Sequence, residues 1–140
     1  MDALYTTHVH TVNGRNGHAK SEDGRLDVTL SHPVVQPRPA TGTDPEQLFG
    51  AGYAACFGGA CAFAAKLLEL TLSGDPIVNS TTTLGKRTDG GFTVRITLDV
   101  TLPGLTDADA AKVVEKAHTI CPYSDIVKRE VVTTTSKGTL

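Results

Sequence analysis

Two cysteines, one arginine and one glutamate in this chain are of types that together could carry thiol redox chemistry. Cys56 lies within a long apolar stretch, and Cys121 directly precedes Pro122 at the start of a predicted short helix. A thiol reacts as its thiolate, and a nearby cation or a helix N-terminus lowers its pKa from about 8.5. Arg15, on a glycine-rich turn, could be that cation. Its guanidinium could also donate to the oxygens of a peroxide while Glu46 holds it in place.

Less reactive interpretations of the same residues stay open. His118 and Cys121 are three residues apart and could chelate a metal on one helical turn, with Cys56 as a third ligand, although no second paired-ligand motif is present. All three cysteines, Cys61 included, could instead be inert packing residues of a dimeric domain. The arginine and the glutamate could form an ordinary surface ion pair.

The composition indicates one small domain without a polyanionic partner. The 140 residues carry a formal net charge of −2 with both signs interspersed, which argues against nucleic acid and against an anionic membrane surface. This length predicts a single domain over residues 1–140. The chain does not open with a basic segment and an apolar run, so we expect no secretory signal and a cytoplasmic location. Three cysteines do not make a disulfide framework.

One long helix is the predicted centre of the fold. The segment Asp44–Gln47 supplies an N-cap residue, a proline for the first helical position and a glutamine where a capping-box partner belongs. No charged residue occurs from Leu48 to Ala65, so no face of the helix is expected to meet water. We therefore predict a buried helix, rather than a membrane span, that continues to Leu70 before a stop signal at residues 73–76.

Strands and two shorter helices are predicted around this long helix. Alternating apolar residues mark the strands, and a cap residue followed by an apolar stripe marks a surface helix. The predicted strands are residues 5–12, 26–30, 77–84, 92–102 and 131–135; turns are predicted at 13–17, 22–24 and 88–91, an extended crossover at 32–43, a surface helix opening at Thr106 that buries Ala110, Val113, Val114 and Ala117, and a short helix from Pro122. This order indicates an α+β fold with largely antiparallel sheets.

Two blocks of sequence carry a resemblance to a known family. The first is Pro45-Glu46-Gln47-Leu48-Phe49-Gly50-Ala51-Gly52-Tyr53-Ala54-Ala55-Cys56-Phe57, and the second is Ala117-His118-Thr119-Ile120-Cys121-Pro122-Tyr123-Ser124. Together with the turn at 13–17, they resemble the organic hydroperoxide resistance (Ohr) branch of the Ohr/OsmC family over nearly the whole chain. The resemblance implies the OsmC-like fold, built as an intertwined homodimer. It also implies a thiol peroxidase that acts on organic and fatty-acid hydroperoxides, binds no cofactor, and is reduced by an external dithiol such as dihydrolipoamide or a lipoylated protein.

The resemblance also implies a role for each of the four candidate residues. Cys56 falls on the peroxidatic cysteine, which becomes a sulfenic acid, and Cys121 on the resolving cysteine, which condenses with it to a disulfide. Arg15 falls on the substrate-orienting arginine and Glu46 on its acidic partner, and no metal ligand is implied. The chain departs from the family at Asn16, where an aspartate is usual. The alternative function is an OsmC-like dimer that senses metal or redox state without turnover.

Helix geometry bears on the third cysteine and on the glutamate. Cys56 and Cys61 are five residues apart, about 7.5 Å along a regular helix and about 140° around it, too poorly aimed for a disulfide. We expect Cys61 to pack in the core. Glu46 lies about 15 Å from Cys56 along an unbroken helix, so either the helix bends near Gly50 and Gly52 or Glu46 serves a site completed by a second subunit. Three aromatic neighbours of Cys56 would suit an alkyl tail, although such residues more often lie in a core: Phe49, Tyr53 and Phe57.

Overall fold

The computed structural model describes residues 2–35, 41–127 and 132–138 of this chain. They belong to two compact units, residues 1–48 and residues 49–140, and the division falls within the longest helix. In chain order the elements are β1 (Val9–Val12), β2 (His18–Ser21), β3 (Asp27–Thr29), α1 (Pro45–Leu67), β4 (Ile77–Lys86), β5 (Phe92–Thr101), α2 (Asp107–His118), α3 (Pro122–Ile126) and β6 (Val132–Lys137). The predicted α+β class with largely antiparallel sheets is confirmed.

The first unit contains a three-stranded antiparallel sheet in the order β1-β2-β3. β1 and β2 form a hairpin in which Val12 pairs with His18, and a 3₁₀ turn at Gly14–Asn16 lies within the predicted turn. Asn13 adopts the left-handed conformation there, with φ of 57°, which asparagine tolerates better than most residues. β2 is not among the predicted strands, because three of its four residues are polar. The strand expected from residue 5 begins only at Val9.

Both ends of the predicted crossover at residues 32–43 are described, whereas residues 36–40 lie outside the described residues. At its far end Leu30 pairs with Thr43 in a parallel bridge. The Gly42 N–H donates to Ser31 Oγ at 2.9 Å. The chain therefore returns beside the end of β3 immediately before it enters α1.

The ends of α1 follow local signals, one of which the sequence pattern does not reveal. At the start, Asp44 Oδ1 accepts the Gln47 N–H at 2.9 Å, as an N-cap should. Gln47 does not complete a capping box, because its Oε1 accepts the Thr43 hydroxyl at 2.7 Å instead. At the other end Glu69 takes a left-handed conformation with φ of 55°, and the Leu70 N–H bonds back to the Ala65 carbonyl at 2.9 Å. This Schellman-type cap ends the helix at Leu67, before the predicted stop, with glutamate where glycine is usual.

The expectation that α1 is buried on every face is wrong for this chain by itself. One side packs into the hydrophobic core through Tyr53, Phe57, Cys61, Ala64 and Ala65, each at most 1% exposed. The opposite side carries an exposed stripe at four-residue spacing: Ala51, Ala55, Gly59 and Phe63. By length and composition α1 could also cross a membrane. Its buried side, however, has the packing of a core helix in a soluble protein.

The second unit contains a sheet in the order β4-β5-β6, with β4 and β5 antiparallel and β6 parallel to β5. The predicted turn at 88–91 joins β4 and β5, with Gly90 at φ of 89°. One face of the long strand is dry as predicted, because Ile96, Leu98, Val100 and Leu102 are at most 2% exposed. Phe92, expected on the same dry face, is 68% exposed because it lies at the tip of the hairpin, directly after the turn. In the last predicted strand, residue 131 lies outside the described residues.

The two shorter helices match their predicted starts. Thr106 Oγ1 accepts the Asp109 N–H at 3.1 Å and so caps α2. All four predicted apolar residues of α2 are buried: Ala110, Val113, Val114 and Ala117. α3 begins at Pro122, and Cys121 is its N-cap residue in extended conformation. The second cysteine is therefore held in a short turn between two helices.

Replacing the cap of α2 tests this local account of its start. Thr106→Ala removes the acceptor of the Asp109 N–H and is expected to lower the free energy of unfolding by about 1 kcal/mol, measured by urea denaturation. Thr106→Ser keeps the oxygen and should leave the free energy of unfolding close to the parental value, because serine caps helices at least as well as threonine. Equal losses in the two variants, or no loss in the alanine variant, would contradict the capping role.

Candidate active site

The sulfur atoms of Cys56 and Cys121 lie together although 65 residues separate them in sequence. Both cysteines are reduced, and their Sγ atoms are 3.4 Å apart. Cys56 comes from the middle of α1, and Cys121 comes from the turn between α2 and α3. A disulfide requires an approach of about 1.4 Å from this distance, since bonded sulfurs lie about 2.05 Å apart. Small shifts of the two side chains could therefore join them.

The two thiols differ in exposure, and the surroundings of Cys56 disfavour charge on its sulfur. Cys121 is 1% exposed, whereas Cys56 is only partly buried, so a solute reaches Cys56 first. Burial raises the pKa of the Cys56 thiol above its ordinary value, and the neighbouring Cys121 adds to the rise, while the backbone N–H of Tyr123 lowers the pKa. Within the second unit the neutral thiol is therefore favoured, and an active thiolate needs a further source of positive potential.

Cys61 belongs to the hydrophobic core, as expected. Its side chain is fully buried, and burial raises the pKa of the Cys61 thiol to about 12. A thiol with such a pKa carries almost no thiolate at neutral pH. Cys61 thus packs as a small apolar residue.

Arg15 and Glu46 form a two-pronged ion pair in the first unit. Arg15 Nη1 donates to Glu46 Oε2 at 2.8 Å, and Nη2 donates to Oε1 at 2.6 Å. Glu46 is only 8% exposed, so this is not the ordinary surface pair that the sequence left open. The hydrogen bonds from Arg15 hold the pKa of the Glu46 carboxyl below its ordinary value despite partial burial, and the same contact raises the pKa of Arg15.

The structure brings the four predicted residues together as two pairs. Arg15 meets Glu46 in the first unit, and Cys56 meets Cys121 in the second. Glu46 lies in the first turn of α1, and the helix continues without a break through Gly50 and Gly52 to Leu67.

Asn16, the departure from the resembled family, helps to hold the Arg15 turn. Its side-chain Oδ1 accepts the backbone N–H of His32 at 3.1 Å. Its backbone is also bonded to Asn13, whose side-chain Nδ2 donates to the Asn16 carbonyl at 3.2 Å. A carboxylate could accept the His32 N–H equally well, so asparagine keeps the contact and omits a negative charge beside Arg15.

The structure contains a hydrogen-bonded network beside the thiols that the sequence does not predict. Ser124 Oγ lies 3.0 Å from Tyr53 Oη and 2.9 Å from His118 Nδ1. The His118 ring also packs on Phe57, with centroids 4.5 Å apart, and burial lowers the pKa of His118. The only early signal is spacing, because His118 and Ser124 each lie three residues from Cys121.

The metal interpretation gains no support from this arrangement. The Nδ1 atom of His118 is engaged with Ser124. Among the described residues, no group of three or more histidine, cysteine, aspartate or glutamate side chains could hold a metal ion. The thiol pair therefore remains the chemical centre of the second unit.

Aromatic rings surround the thiol pair and explain one of the helix glycines. Tyr123 packs on Tyr53, with ring centroids 5.7 Å apart, and lies against Gly52 of α1. A Cβ atom at Gly52 would lie 2.9 Å from the Tyr123 hydroxyl, so only glycine admits the ring without a shift. Tyr53 and Phe57 are fully buried in the core, whereas Phe49 is partly exposed. Of the three residues considered for an alkyl tail, only Phe49 has surface to offer a ligand.

Comparison with known sequence families gives one match over most of the chain. The sequence model of the OsmC-like protein family matches residues 38–136. The chain is also similar to the organic hydroperoxide resistance protein of Xanthomonas axonopodis pv. citri, with 40% identity over 129 residues that cover 91% of this chain and 90% of the relative.

Solved structures give the same result. The crystal structure of the organic hydroperoxide resistance protein OhrB of Bacillus subtilis superposes with a TM-score of 0.86 at 40% identity, covering 96% of this chain and 98% of the other. A Vibrio cholerae structure described as a putative organic hydroperoxide resistance protein, with captopril bound in one of the active sites, has a TM-score of 0.88 at 35% identity, covering 99% and 95% of the two chains. Fold and sequence similarity therefore extend over almost the full chain.

The Arg15–Glu46 pair predicts a specific pH dependence of stability. Because the pKa of Glu46 is lowered in the folded state, its contribution is complete above the unfolded value of about 4.3 and is lost as the pH falls through the lowered folded value. Urea denaturation between pH 3 and pH 6 should show a smaller rise of unfolding free energy with pH in Glu46→Gln than in the parent.

Glu115→Gln is the matched control for this experiment, because it removes the same charge from an exposed position of α2. It should leave most of the pH dependence in place. An unchanged profile in Glu46→Gln would contradict the stabilising role of the pair.

The Asn16 contact predicts how the Arg15 turn responds to substitution. Asn16→Ala should lower the hydrogen-exchange protection of the His32 amide by about fivefold, equivalent to one hydrogen bond of about 1 kcal/mol. Asn16→Asp keeps an acceptor oxygen and should preserve the protection. Loss of protection in the aspartate variant as well would show that the oxygen is not what holds the turn.

Proposed function

Because this chain belongs to the OsmC-like protein family and groups there with organic hydroperoxide resistance proteins, we propose that it is a thiol-dependent peroxidase that reduces organic hydroperoxides to alcohols. The observation that carries the proposal is the 3.4 Å distance between the Cys56 and Cys121 sulfurs, one accessible and one shielded. The relatives' names supply the substrate class and the link to oxidative stress.

In the first step the Cys56 thiolate attacks the hydroperoxide oxygen distal to the organic group. The O–O bond breaks, the alkoxide takes up a proton and leaves as an alcohol, and the Cys56 sulfur is oxidised by two electrons to a sulfenic acid. The difference in exposure supports this order, since Cys56 is only partly buried and Cys121 is 1% exposed. Cys56 is thus the peroxidatic cysteine in this proposal.

In the second step Cys121 resolves the sulfenic acid. Its sulfur bonds to the Cys56 sulfur, the S–O bond breaks, and hydroxide leaves as water with the proton of the Cys121 thiol. The short distance between the thiols supports this step, because no large rearrangement is required. The product is a Cys56–Cys121 disulfide.

Arg15 supplies the positive charge that the thiol pair lacks in this mechanism. Two of the five N–H donors of its guanidinium bind Glu46, and others could bind the oxygens of a hydroperoxide. Glu46 is buried and fixes the direction of the fork. Because burial raises the pKa of Cys56, a nearby guanidinium would restore the thiolate and orient the substrate together.

The disulfide is then reopened by an external dithiol of the dihydrolipoamide type, free or on a lipoylated protein, and no bound cofactor takes part. We also propose that the protein works as a cytoplasmic homodimer. The exposed stripe of α1 supports a dimer, because Ala51, Ala55 and Gly59 are small enough to admit a second chain closely. The alternative function, a redox- or metal-sensing dimer, would share the thiol pair but show no turnover.

Cysteine variants separate turnover from sensing. With cumene hydroperoxide as substrate and dihydrolipoamide as reductant, Cys56→Ser should reduce the rate to background. Cys121→Ser should still carry out the first oxidation, which releases one equivalent of alcohol per chain, but should not turn over, because the sulfenic acid has no resolving thiol.

Cys61→Ala is the matched control, since it removes a buried thiol that lies outside the proposed redox pair. It should keep parental turnover per folded molecule. Parental turnover in Cys56→Ser would overturn the proposed function, and an absence of turnover in the parent would favour the sensing alternative.

A further inference from the structure

Ser124 joins three segments that hold the reactive thiols. Its Oγ lies 3.0 Å from Tyr53 Oη of α1 and 2.9 Å from His118 Nδ1 at the end of α2. Tyr53 is three residues before Cys56 and so lies one turn away on the same side of α1. His118 and Ser124 lie three residues before and three residues after Cys121. The bond between them therefore closes the turn that carries the second thiol.

The number of protons available in this hydrogen-bonded network makes Ser124 its central residue. A serine hydroxyl has one proton, so it can donate to only one of its two neighbours and must accept from the other. Either Tyr53 donates to Ser124 and Ser124 donates to His118, or both hydrogen bonds run in the opposite direction. Removing the serine oxygen breaks both bonds at once, whereas removing the tyrosine oxygen breaks only one.

We propose that Ser124 is a positioning residue for disulfide formation, acting through Tyr53 and His118 to keep Cys121 against Cys56. The proposal rests on the peroxidase function above and deepens it. The network spans the two segments whose separation sets the 3.4 Å distance between the sulfurs. The rate of bond formation falls steeply when reacting atoms are misplaced by about 1 Å. A small loosening of the turn that carries Cys121 would therefore slow disulfide formation.

The step that Ser124 serves competes with a damaging reaction. After the first oxidation, the Cys121 sulfur attacks the Cys56 sulfenic sulfur, the S–S bond forms, and hydroxide leaves as water with the Cys121 proton. If Cys121 is slow, a second hydroperoxide transfers an oxygen to the sulfenic acid, giving an alcohol and a sulfinic acid on Cys56. The ratio of disulfide to sulfinic acid therefore reports how well Cys121 is placed.

This ratio can be measured on the reduced protein. Stopped-flow mixing with cumene hydroperoxide gives the rates of the first oxidation and of disulfide formation, and mass spectrometry after excess hydroperoxide gives the ratio of the two products. In Ser124→Ala we expect an unchanged first rate, disulfide formation slower by roughly tenfold, and a correspondingly larger sulfinic fraction. Ser124→Thr keeps the hydroxyl and should restore the parental ratio.

Thr119→Val is the matched control. It removes a hydroxyl from the same turn, where Thr119 Oγ1 donates to the Lys116 carbonyl at 2.7 Å without joining the network. A purely structural effect would lower the melting temperature of both variants and leave the product ratio alone. The control should therefore keep the parental ratio.

The outcomes distinguish the positioning role of Ser124 from the peroxidase function. A parental ratio in Ser124→Ala would overturn the positioning role while leaving the peroxidase function intact. A parent protein that consumes no hydroperoxide would overturn the peroxidase function itself. If Ser124→Ala does not fold, Tyr53→Phe takes its place, with an expected sulfinic fraction above that of the parent; a parental ratio there would likewise overturn the role.

Discussion

Desolvation of two adjacent sulfur atoms is the constraint on which the rest of this structure depends. Cys56 and Cys121 approach to 3.4 Å, and Cys121 is almost completely removed from water. Burial favours a neutral thiol over a thiolate, so the contact that prepares a disulfide also works against the charged nucleophile. Chemistry at this site therefore needs a compensating donor or cation. The Tyr123 backbone N–H is one such donor, and Arg15 is the proposed cation.

The close approach of the two thiol-bearing segments depends on small residues and on polar groups with partners. Gly52 leaves space on α1 for the Tyr123 ring, and Ser124 links Tyr53 with His118. Glycine inside a helix costs roughly 0.5 to 1 kcal/mol relative to alanine, and the packing of the rings offsets that cost. The same residues that lower the intrinsic stability of α1 thus allow the turn containing Cys121 to reach it.

In the first unit Arg15 holds the buried carboxylate of Glu46, and Glu46 in turn orients the Arg15 guanidinium. Glu46 stays ionised at 8% exposure because Arg15 donates two short hydrogen bonds to it and because it lies at the positive end of α1. Asn16 secures the turn with a neutral amide, so it adds no second carboxylate to compete for the guanidinium. The two bonds to Glu46 therefore hold the Arg15 guanidinium in one direction.

The sequence by itself determined the order of the helices and of every strand except β2, the starts of the three helices, and the choice of the four candidate residues. Those features depend on local signals such as the Asp44 cap and the Pro122 start, or on a recognisable pair of motifs around Cys56 and Cys121. Tertiary structure alone decided the early end of α1 at Glu69, the exposed stripe along that helix, and the link from Ser124 to Tyr53. These depend on contacts between residues far apart in the chain, or on a backbone conformation unusual for the residue type. Hydrophobic pattern and capping preference predict neither the long-range contacts nor the unusual backbone conformation, because both depend only on near neighbours in sequence.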